Sequence, residues 1–333
     1  MVVWDATAHP FTILNNKSPE AIMTSYNNFI GIDIGKFSFV VFTYKSNSID
    51  EYENNGEGIT QFIEEYSNIM QNSLCIIEAT GGYEMELLYS LVDSGYDAHR
   101  ADSRKVKSFI RSLGTMAKTD ALDAKALARY GYERHQILDL FELPSQEYRE
   151  LFQLIQRRSS LKSTLVAEKN RLKSPCNEFI NNSIAELINV INGHIDIVTA
   201  RIAEIIENNP TLKKKQEILK TMPGVGAIVS FELLILMPEL GSICRRKAAS
   251  LAGVAPRSNE SGRYFGYRRT GHGRDGVKPM LFVAAMAARN SNTEFKVFYE
   301  KLIKKGKAKK VALTAIMRKI IVVANAKIRD LDI

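Results

Sequence analysis

Four acidic residues stand at positions where their charge or spacing suggests chemistry on phosphate. Asp33 interrupts the apolar run that starts at Phe29, and Glu78 lies near the end of a second apolar run, Leu74 to Ala79. A charge inside such a run is unfavourable unless it is paired or bound to a cation. Asp120 and Asp123 are three residues apart, which places both on one face of a helix.

Carboxylate oxygens without His or Cys are ligands that suit magnesium or manganese. We therefore predict that Asp33, Glu78, Asp120 and Asp123 form a site for Mg²⁺ or Mn²⁺. Such a site holds two ions about 4 Å apart, a geometry that stabilises both the attacking and the leaving oxygen of a phosphodiester.

Three of the four acids also have a simpler explanation. Asp120 and Asp123 complement the dipole of a helix that Thr119 caps. Glu78 forms an ion pair with Arg100. If these explanations hold, the acids are structural and no metal is needed.

The elements around the acids alternate in the order of the ribonuclease-H-like fold, which predicts an α/β domain. Apolar runs rich in β-branched and aromatic residues indicate strands. We predict strands at about 28–35, 37–45, 49–54, 74–79 and 96–100, and helices at about 59–71, 83–92, 103–113 and 120–132.

The rest of the chain is predicted to be helical. We expect an N-terminal extension over 1–25, the α/β domain over 26–140, a helical coiled-coil arm over 141–210 and a mainly α domain over 211–333. Between about 253 and 276 we predict a long Gly- and Arg-rich loop without regular structure. The arm carries apolar residues at near-heptad spacing, typical of an antiparallel pair or an oligomer contact. These residues are Ile180, Ile184, Leu187, Ile191, Ile195, Val198, Ile202 and Ile205.

The charge distribution points to a polyanionic partner. The chain has a net charge of +8, and residues 241–333 alone hold 21 Lys and Arg against 6 Asp and Glu. This excess favours nucleic acid over an anionic membrane. No secretory signal or apolar run of spanning length is evident, so we expect a cytoplasmic protein without membrane contact.

The segment Met222-Pro-Gly-Val-Gly226 joins two predicted helices and is typical of a helix-hairpin-helix. Its glycines, Gly224 and Gly226, let backbone N–H groups approach phosphate at a helix start. An ordinary glycine turn is the alternative. Further candidate nucleic-acid contacts are Arg104, Lys105, Lys107, Arg111, Arg257, Arg263, Arg268 and Arg269.

The chain resembles the DEDD-type insertion-sequence transposases and the Piv-type DNA invertases. The resemblance rests on five motifs, which occur in the order GIDIGK, IIEATGGYE, MAKTDALDAKALARYG, MPGVG and LAGVAPRSNESGR. The first domain of that family is similar to the junction resolvase RuvC. The resemblance implies that Asp33, Glu78, Asp120 and Asp123 are the metal-binding tetrad. It implies that Ser261 is the nucleophile, and Ser258 is the nearest rival.

The resemblance further implies metal-assisted attack of the serine hydroxyl on DNA, a phosphoserine linkage and strand exchange. Because Ser261 and the acids lie on different domains, a composite site within one chain or between protomers would follow. Several family members are guided by a structured non-coding RNA that bridges donor and target DNA. A bacterial or archaeal, nucleoid-associated homo-oligomer, a dimer or tetramer, is the expectation.

Three other interpretations stay open. GIDIGK also resembles the phosphate strand of actin-like kinases, although no second such strand follows. A non-catalytic, architectural DNA-binding protein would use the hairpin and basic tail without needing the acids. Within the family, the sequence does not separate a transposase from a site-specific invertase.

Overall fold

The computed structural model describes residues 26–114, 119–291 and 294–331. The predicted N-terminal extension, 1–25, lies outside these ranges. The described chain forms two compact units, the first ending at Leu143 and the second beginning at Pro144. No helix in the described ranges is both long and apolar enough to cross a membrane.

The first unit is built on a five-stranded mixed sheet in the order β3-β2-β1-β4-β5. Its strands are β1 (Asn28–Ile34), β2 (Ser38–Thr43), β3 (Ser48–Glu53), β4 (Ser73–Glu78) and β5 (Asp97–Ala101). The first three strands are antiparallel neighbours, and β1-β4 and β4-β5 pair in parallel. This order confirms the predicted α/β domain and agrees with a RuvC-like sheet.

Helices cover both faces of the sheet. They are α1 (Gly56–Met70), α2 (Met85–Asp93), α3 (Ser103–Ser112) and α4 (Asp120–Arg134). On one face, Val106 of α3 and Leu127 of α4 share a buried cluster with Ile76 of β4. On the other, Phe62 of α1 packs edge-on against Phe39 of β2. Burial of the sheet on both sides explains why its central strands are apolar throughout.

The second unit begins with two long helices, α5 (Gln146–Arg171) and α6 (Glu178–Asn208). They pack antiparallel, since α5 residues near its start contact α6 residues near its end. Arg201 bonds Glu150 at 2.8 Å, and Arg158 bonds Thr199 at 3.0 Å. Ile188 is buried, whereas Leu187 is 44% exposed, so the predicted apolar seam is displaced by one residue there.

Six further helices and a short hairpin complete the second unit in the part of the chain that the structure describes. They are α7 (Pro210–Lys220), α8 (Ala227–Leu236), α9 (Arg245–Leu251), β6 (Glu260–Ser261), β7 (Tyr264–Phe265), α10 (Val277–Asn290), α11 (Glu294–Lys304) and α12 (Lys309–Arg329). Helix α12 is buried along most of its length and packs against α7, α9, α10 and α11. Within α12, the buried Asn325 accepts from Gly241 N–H at 3.0 Å and donates to the Ile243 carbonyl at 2.8 Å.

Candidate active site

The sheet register brings Asp33 and Glu78 to neighbouring positions. In the parallel pair β1-β4, Ile32 is opposite Ile77, so the next step along both strands is Asp33 beside Glu78. Adjacent strands lie about 4.8 Å apart. Both acids are half-buried at the carboxyl end of their strands.

Both acids lie on the sheet face that α4 covers. Gly31 faces α4, because a Cβ atom there would stand 2.0 Å from the Ala124 carbonyl oxygen. Ile76 faces the same helix, because its Cδ1 would stand 2.2 Å from a Cβ on Gly131. Side chains alternate along a strand, so Asp33 and Glu78, two residues further on, share this face.

Helix α4 runs opposite to β1, so its first turn reaches the same edge of the sheet. Ala124 lies over Gly31, whereas Gly131 lies beside Phe29, two residues earlier in the strand. The first turn of α4 therefore lies towards Asp33. That turn contains Asp120, which is exposed, and Asp123, which is half-buried.

The four predicted acids thus gather at one edge of the first unit. The structure does not draw them into a closed cluster. Within the described ranges, no three His, Cys, Asp or Glu side chains are close enough to hold a metal ion. The donor set, four carboxylates without nitrogen or sulfur, nevertheless fits the chemistry of Mg²⁺ or Mn²⁺. Thr119 also caps α4 by accepting from Leu122 N–H at 3.3 Å. This cap agrees with the alternative in which Asp120 and Asp123 complement the dipole of α4.

A buried carboxylate that the sequence did not single out supports the turn after Glu78. Glu84 has no exposed surface and accepts hydrogen bonds from Thr80 N–H at 3.1 Å and Gly82 N–H at 2.9 Å. Its other oxygen accepts two bonds from Arg100, at 3.0 Å from Nε and 2.5 Å from a terminal nitrogen. Arg100, which we considered as a partner of Glu78, is thus an ion-pair partner of Glu84.

Glu84 is held in its charged form. Burial would raise the pKa of this carboxyl, but the charge of Arg100 and the hydrogen bonds from Arg100 and Gly82 outweigh burial and lower the pKa. A signal for this role was present in the sequence, since Glu84 follows a Gly-Gly turn directly after β4. The partner in β5 gave no such signal.

The predicted basic contacts on α3 lie on its exposed face. Lys105, Lys107 and Arg111 are exposed, while Val106 and Phe109 point into the core. Arg104 is exposed as well, and it forms an ion pair at 2.9 Å with Asp102, the residue that caps the helix.

Ser261 lies on a β-hairpin, where we had predicted a loop without regular structure. Backbone pairing begins at Arg257 opposite Arg269, continues through a bond from Gly266 N–H to the Asn259 carbonyl, and ends at Ser261 opposite Tyr264. Gly262 has φ 55°, which lets the chain turn. We define residues 257–269 as the serine hairpin. Ser261 and the predicted arginines on it are exposed.

The two glycines between α7 and α8 have different surroundings. Gly224 has φ +82°, and a Cβ atom there would stand 2.2 Å from the Ala284 carbonyl oxygen of α10. Gly226 is exposed at the start of α8, and a Cβ there would contact nothing within 4 Å. Close packing is thus one reason for glycine at 224. The phosphate contact predicted for both remains a prediction.

Comparison with known proteins gives two matches to family models. Residues 30–179 match the DEDD model of the IS110 type, described as a transposase, and residues 216–300 match the model described as the IS116/IS110/IS902 transposase family. Together they cover more than half of the chain. The first range contains all four acids, and the second contains Ser261 and Gly224.

Similar proteins extend this picture. The pilin gene-inverting proteins of Moraxella lacunata and Moraxella bovis are each 28% identical over 312 residues, covering 91% of this chain and 96% of theirs. An uncharacterized 43.6 kDa protein of insertion element IS110 from Streptomyces coelicolor is 27% identical over 150 residues. That match covers 44% of this chain and 36% of that protein.

Proposed function

Since the chain belongs to the DEDD-type IS110/IS116 transposase family and is therefore an enzyme of DNA recombination, we propose that it cuts and rejoins DNA through a serine nucleophile with divalent-metal assistance. The observation that supports the proposal is the pairing register, which sets Asp33 beside Glu78, together with the direction of α4, whose first turn lies towards Asp33.

In this proposal Asp33, Glu78, Asp120 and Asp123 would hold one or two Mg²⁺ or Mn²⁺ ions. Such ions, when bound, offset the charge that builds up on a phosphate under attack and favour loss of the proton from an attacking hydroxyl. Glu84 keeps the turn after Glu78 in place through its bonds to Thr80 and Gly82.

Ser261 Oγ is the proposed nucleophile. Its bond to phosphorus forms as the bond between phosphorus and a deoxyribose oxygen breaks, which leaves a phosphoserine and a free DNA hydroxyl. The serine proton passes to the leaving oxygen, directly or through water. A hydroxyl from another strand then attacks the phosphoserine, and Ser261 is restored. One phosphoester bond replaces another at each step, so no energy-supplying cosubstrate is needed.

The test is a covalent trapping assay with labelled DNA ends. We expect Ser261→Ala to abolish the protein–DNA adduct while DNA binding persists. Ser258→Ala, on the same exposed hairpin, is the matched control and should retain the adduct. Asp33→Asn should abolish adduct formation as well. An adduct that survives Ser261→Ala would place the nucleophile elsewhere. Full adduct formation by Asp33→Asn would show that the acids do not assist the reaction, and the absence of any adduct with the wild type would favour the architectural alternative.

Site-specific inversion is a second candidate reaction within the same chemistry. Two relatives that match over 91% of the chain are named as pilin gene-inverting proteins, which favours it. Sequencing the DNA junctions made in cells distinguishes the two outcomes. Inversion reverses a segment in place, whereas transposition creates a junction with new flanking DNA.

The proposed partners are DNA, a structured RNA and further copies of this chain. The excess of basic residues in 241–333 supports a nucleic-acid partner. We propose that α7 and α8 act as a helix-hairpin-helix with Gly226 at the phosphate, and that α5 and α6 form a coiled-coil arm. Sequencing RNA that co-purifies with the protein tests RNA guidance, and recovery of no discrete RNA would count against it.

A further inference from the structure

Three aromatic side chains stand on the second half of the serine hairpin and face solvent. Tyr264 is 61% exposed, Phe265 is 79% exposed and Tyr267 is 91% exposed. Single exposed apolar residues are ordinary, but contiguous ones mark a binding surface. Because side chains alternate along a strand, Tyr264 lies on one face of the hairpin and Phe265 on the other, so exposed rings line both faces.

The charge around the rings is strongly positive. Arg257, Arg263, Arg268 and Arg269 stand on the same hairpin, against one acid, Glu260. That acid forms an ion pair with Arg268 at 3.2 Å. Rings and arginines together suit a polyanion that also presents flat apolar faces, which is an unpaired nucleic-acid strand. In a regular duplex the bases are stacked inside and offer the rings no face.

The pairing of β6 with β7 places Tyr264 beside the proposed nucleophile. Ser261 and Tyr264 are directly opposite each other across β6 and β7, so their side chains lie on one face of the hairpin. The Tyr264 ring lies along the hairpin towards Gly266, since a Cβ on that glycine would stand 2.9 Å from the ring carbon Cε1. A strand bound at Ser261 therefore meets Tyr264 first.

We propose that the aromatic residues in the second half of the serine hairpin, Tyr264, Phe265 and Tyr267, stack on unpaired bases of the DNA strand whose phosphate Ser261 engages. The assignment to DNA rests on the proposed function of Ser261. The hairpin would thus hold a locally opened strand at the point of exchange, with the rings on the bases and the arginines on the phosphates.

The experiment compares binding of fluorescein-labelled oligonucleotides in metal-free buffer, with every protein carrying Ser261→Ala so that cleavage plays no part. The test variant replaces all three aromatic residues by Leu. Val297→Leu is the control, because Val297 is 67% exposed on α11 and lies outside the hairpin. The probes are single-stranded DNA, fully paired DNA, DNA with an internal unpaired bulge, and single-stranded RNA of the same sequence.

We expect the triple variant to lose about tenfold or more in affinity for the single-stranded and bulged DNA, and less than about threefold for the duplex. Its salt dependence should stay unchanged, because no phosphate contact is removed, whereas Arg263→Gln with Arg268→Gln should flatten it. Bulge DNA with 2-aminopurine should show fluorescence quenching with the parent protein and not with the triple variant.

An equal loss on duplex DNA, or a loss confined to RNA, would overturn the proposal. Altered sedimentation of the triple variant without loss of binding would instead assign the rings to a contact between copies. Adduct formation by the protein with Ser261 intact is measured separately. If adducts fail while base-selective binding persists, the proposed function is wrong and the stacking surface stands.

Discussion

Glu84 is a residue whose importance comes from what it holds in place. It is fully buried and joins the turn after Glu78 to Arg100 of β5. Removing one partner of a buried ion pair leaves the other charge uncompensated, which costs about 3–5 kcal/mol. We expect Glu84→Gln to lower the free energy of unfolding in urea at pH 7 by about that amount.

The effect should depend on pH in a defined direction. The pKa of Glu84 is lowered in the folded protein from its ordinary 4.5. Its contribution to stability is therefore complete above pH 4.5 and is lost as the pH falls through the folded value. The stability difference between wild type and Glu84→Gln should shrink on acidification below about pH 4.5. The control is Glu133→Gln, in an exposed pair with Arg129, which should change stability little at any pH.

The glycines of the MPGVG turn offer a matched pair of substitutions. Gly224→Ala introduces a Cβ against the backbone of α10 at a positive φ, so we expect a loss of about 3 kcal/mol in urea denaturation. Gly226→Ala meets open space and should cost about 1 kcal/mol or less, because Gly226 caps α8 and alanine is a poorer cap. If Gly226 approaches phosphate, its variant will bind DNA more weakly while folding normally. Equal stability of the two variants would contradict the packing described here.

At the scale of elements, the docking of α4 on β1 decides where two of the four acids lie. Gly31→Ala would place a Cβ 2.0 Å from the Ala124 carbonyl oxygen, so the helix must move away from the strand. We expect a loss of about 3 kcal/mol in stability and a loss of recombination that persists at temperatures where the variant is folded. Gly56→Ala, where a Cβ meets nothing within 4 Å, is the control for both readouts. Normal activity of folded Gly31→Ala would show that α4 need not be held so closely.

Elements with a local signature were predictable, and those formed by distant pairing were not. The run Leu74 to Glu78 is apolar because β4 is covered on both faces, so its pattern alone indicates a buried strand. The serine hairpin has strands of two residues, too short to show any alternation, and its pairing of Arg257 with Arg269 spans twelve positions. The Arg- and Gly-rich composition therefore suggested a loop.

Among the acidic residues, too, some positions could be predicted from the sequence and others could not. Asp33 and Glu78 could be predicted as neighbours because parallel strands end at one edge. The pair Glu84–Arg100 could not, since it depends on β5 lying beside β4. In the arm, Leu187 and Ile188 are both apolar, and only the packing of α6 on α5 determines which is buried.

At the scale of the whole molecule, the arm leaves an apolar surface without a cover in the chain that the structure describes. Its exposed apolar residues, each at least 39% exposed, are Val166, Leu172, Phe179, Ile180, Leu187, Val190 and Ile197. Helices of 26 and 31 residues reach about 39 Å and 46 Å, which is enough for a contact between copies. This surface supports the proposed homo-oligomer.

We expect Phe179→Ser with Ile180→Ser to shift the protein to a smaller assembly in sedimentation velocity. The exposed apolar area on α6 drives self-association in the wild type, and the double variant removes part of it. Val297→Ser, at a residue 67% exposed on α11, is the control and should leave the assembly unchanged. Unaltered sedimentation of the double variant would exclude this end of the arm as the contact.

Both ends of the serine hairpin are anchored in the second unit. A Cβ on Gly273 would stand 2.2 Å from Gly253 N, and the buried Arg274 pairs with Glu239 through bonds of 2.6 and 2.9 Å. The ribbon between these anchors is exposed and contributes little to the core beneath. A recombinase that keeps the serine could therefore acquire a ribbon of different length or with different residues around the turn. Its preference for a DNA sequence would then change while its interior stays as it was.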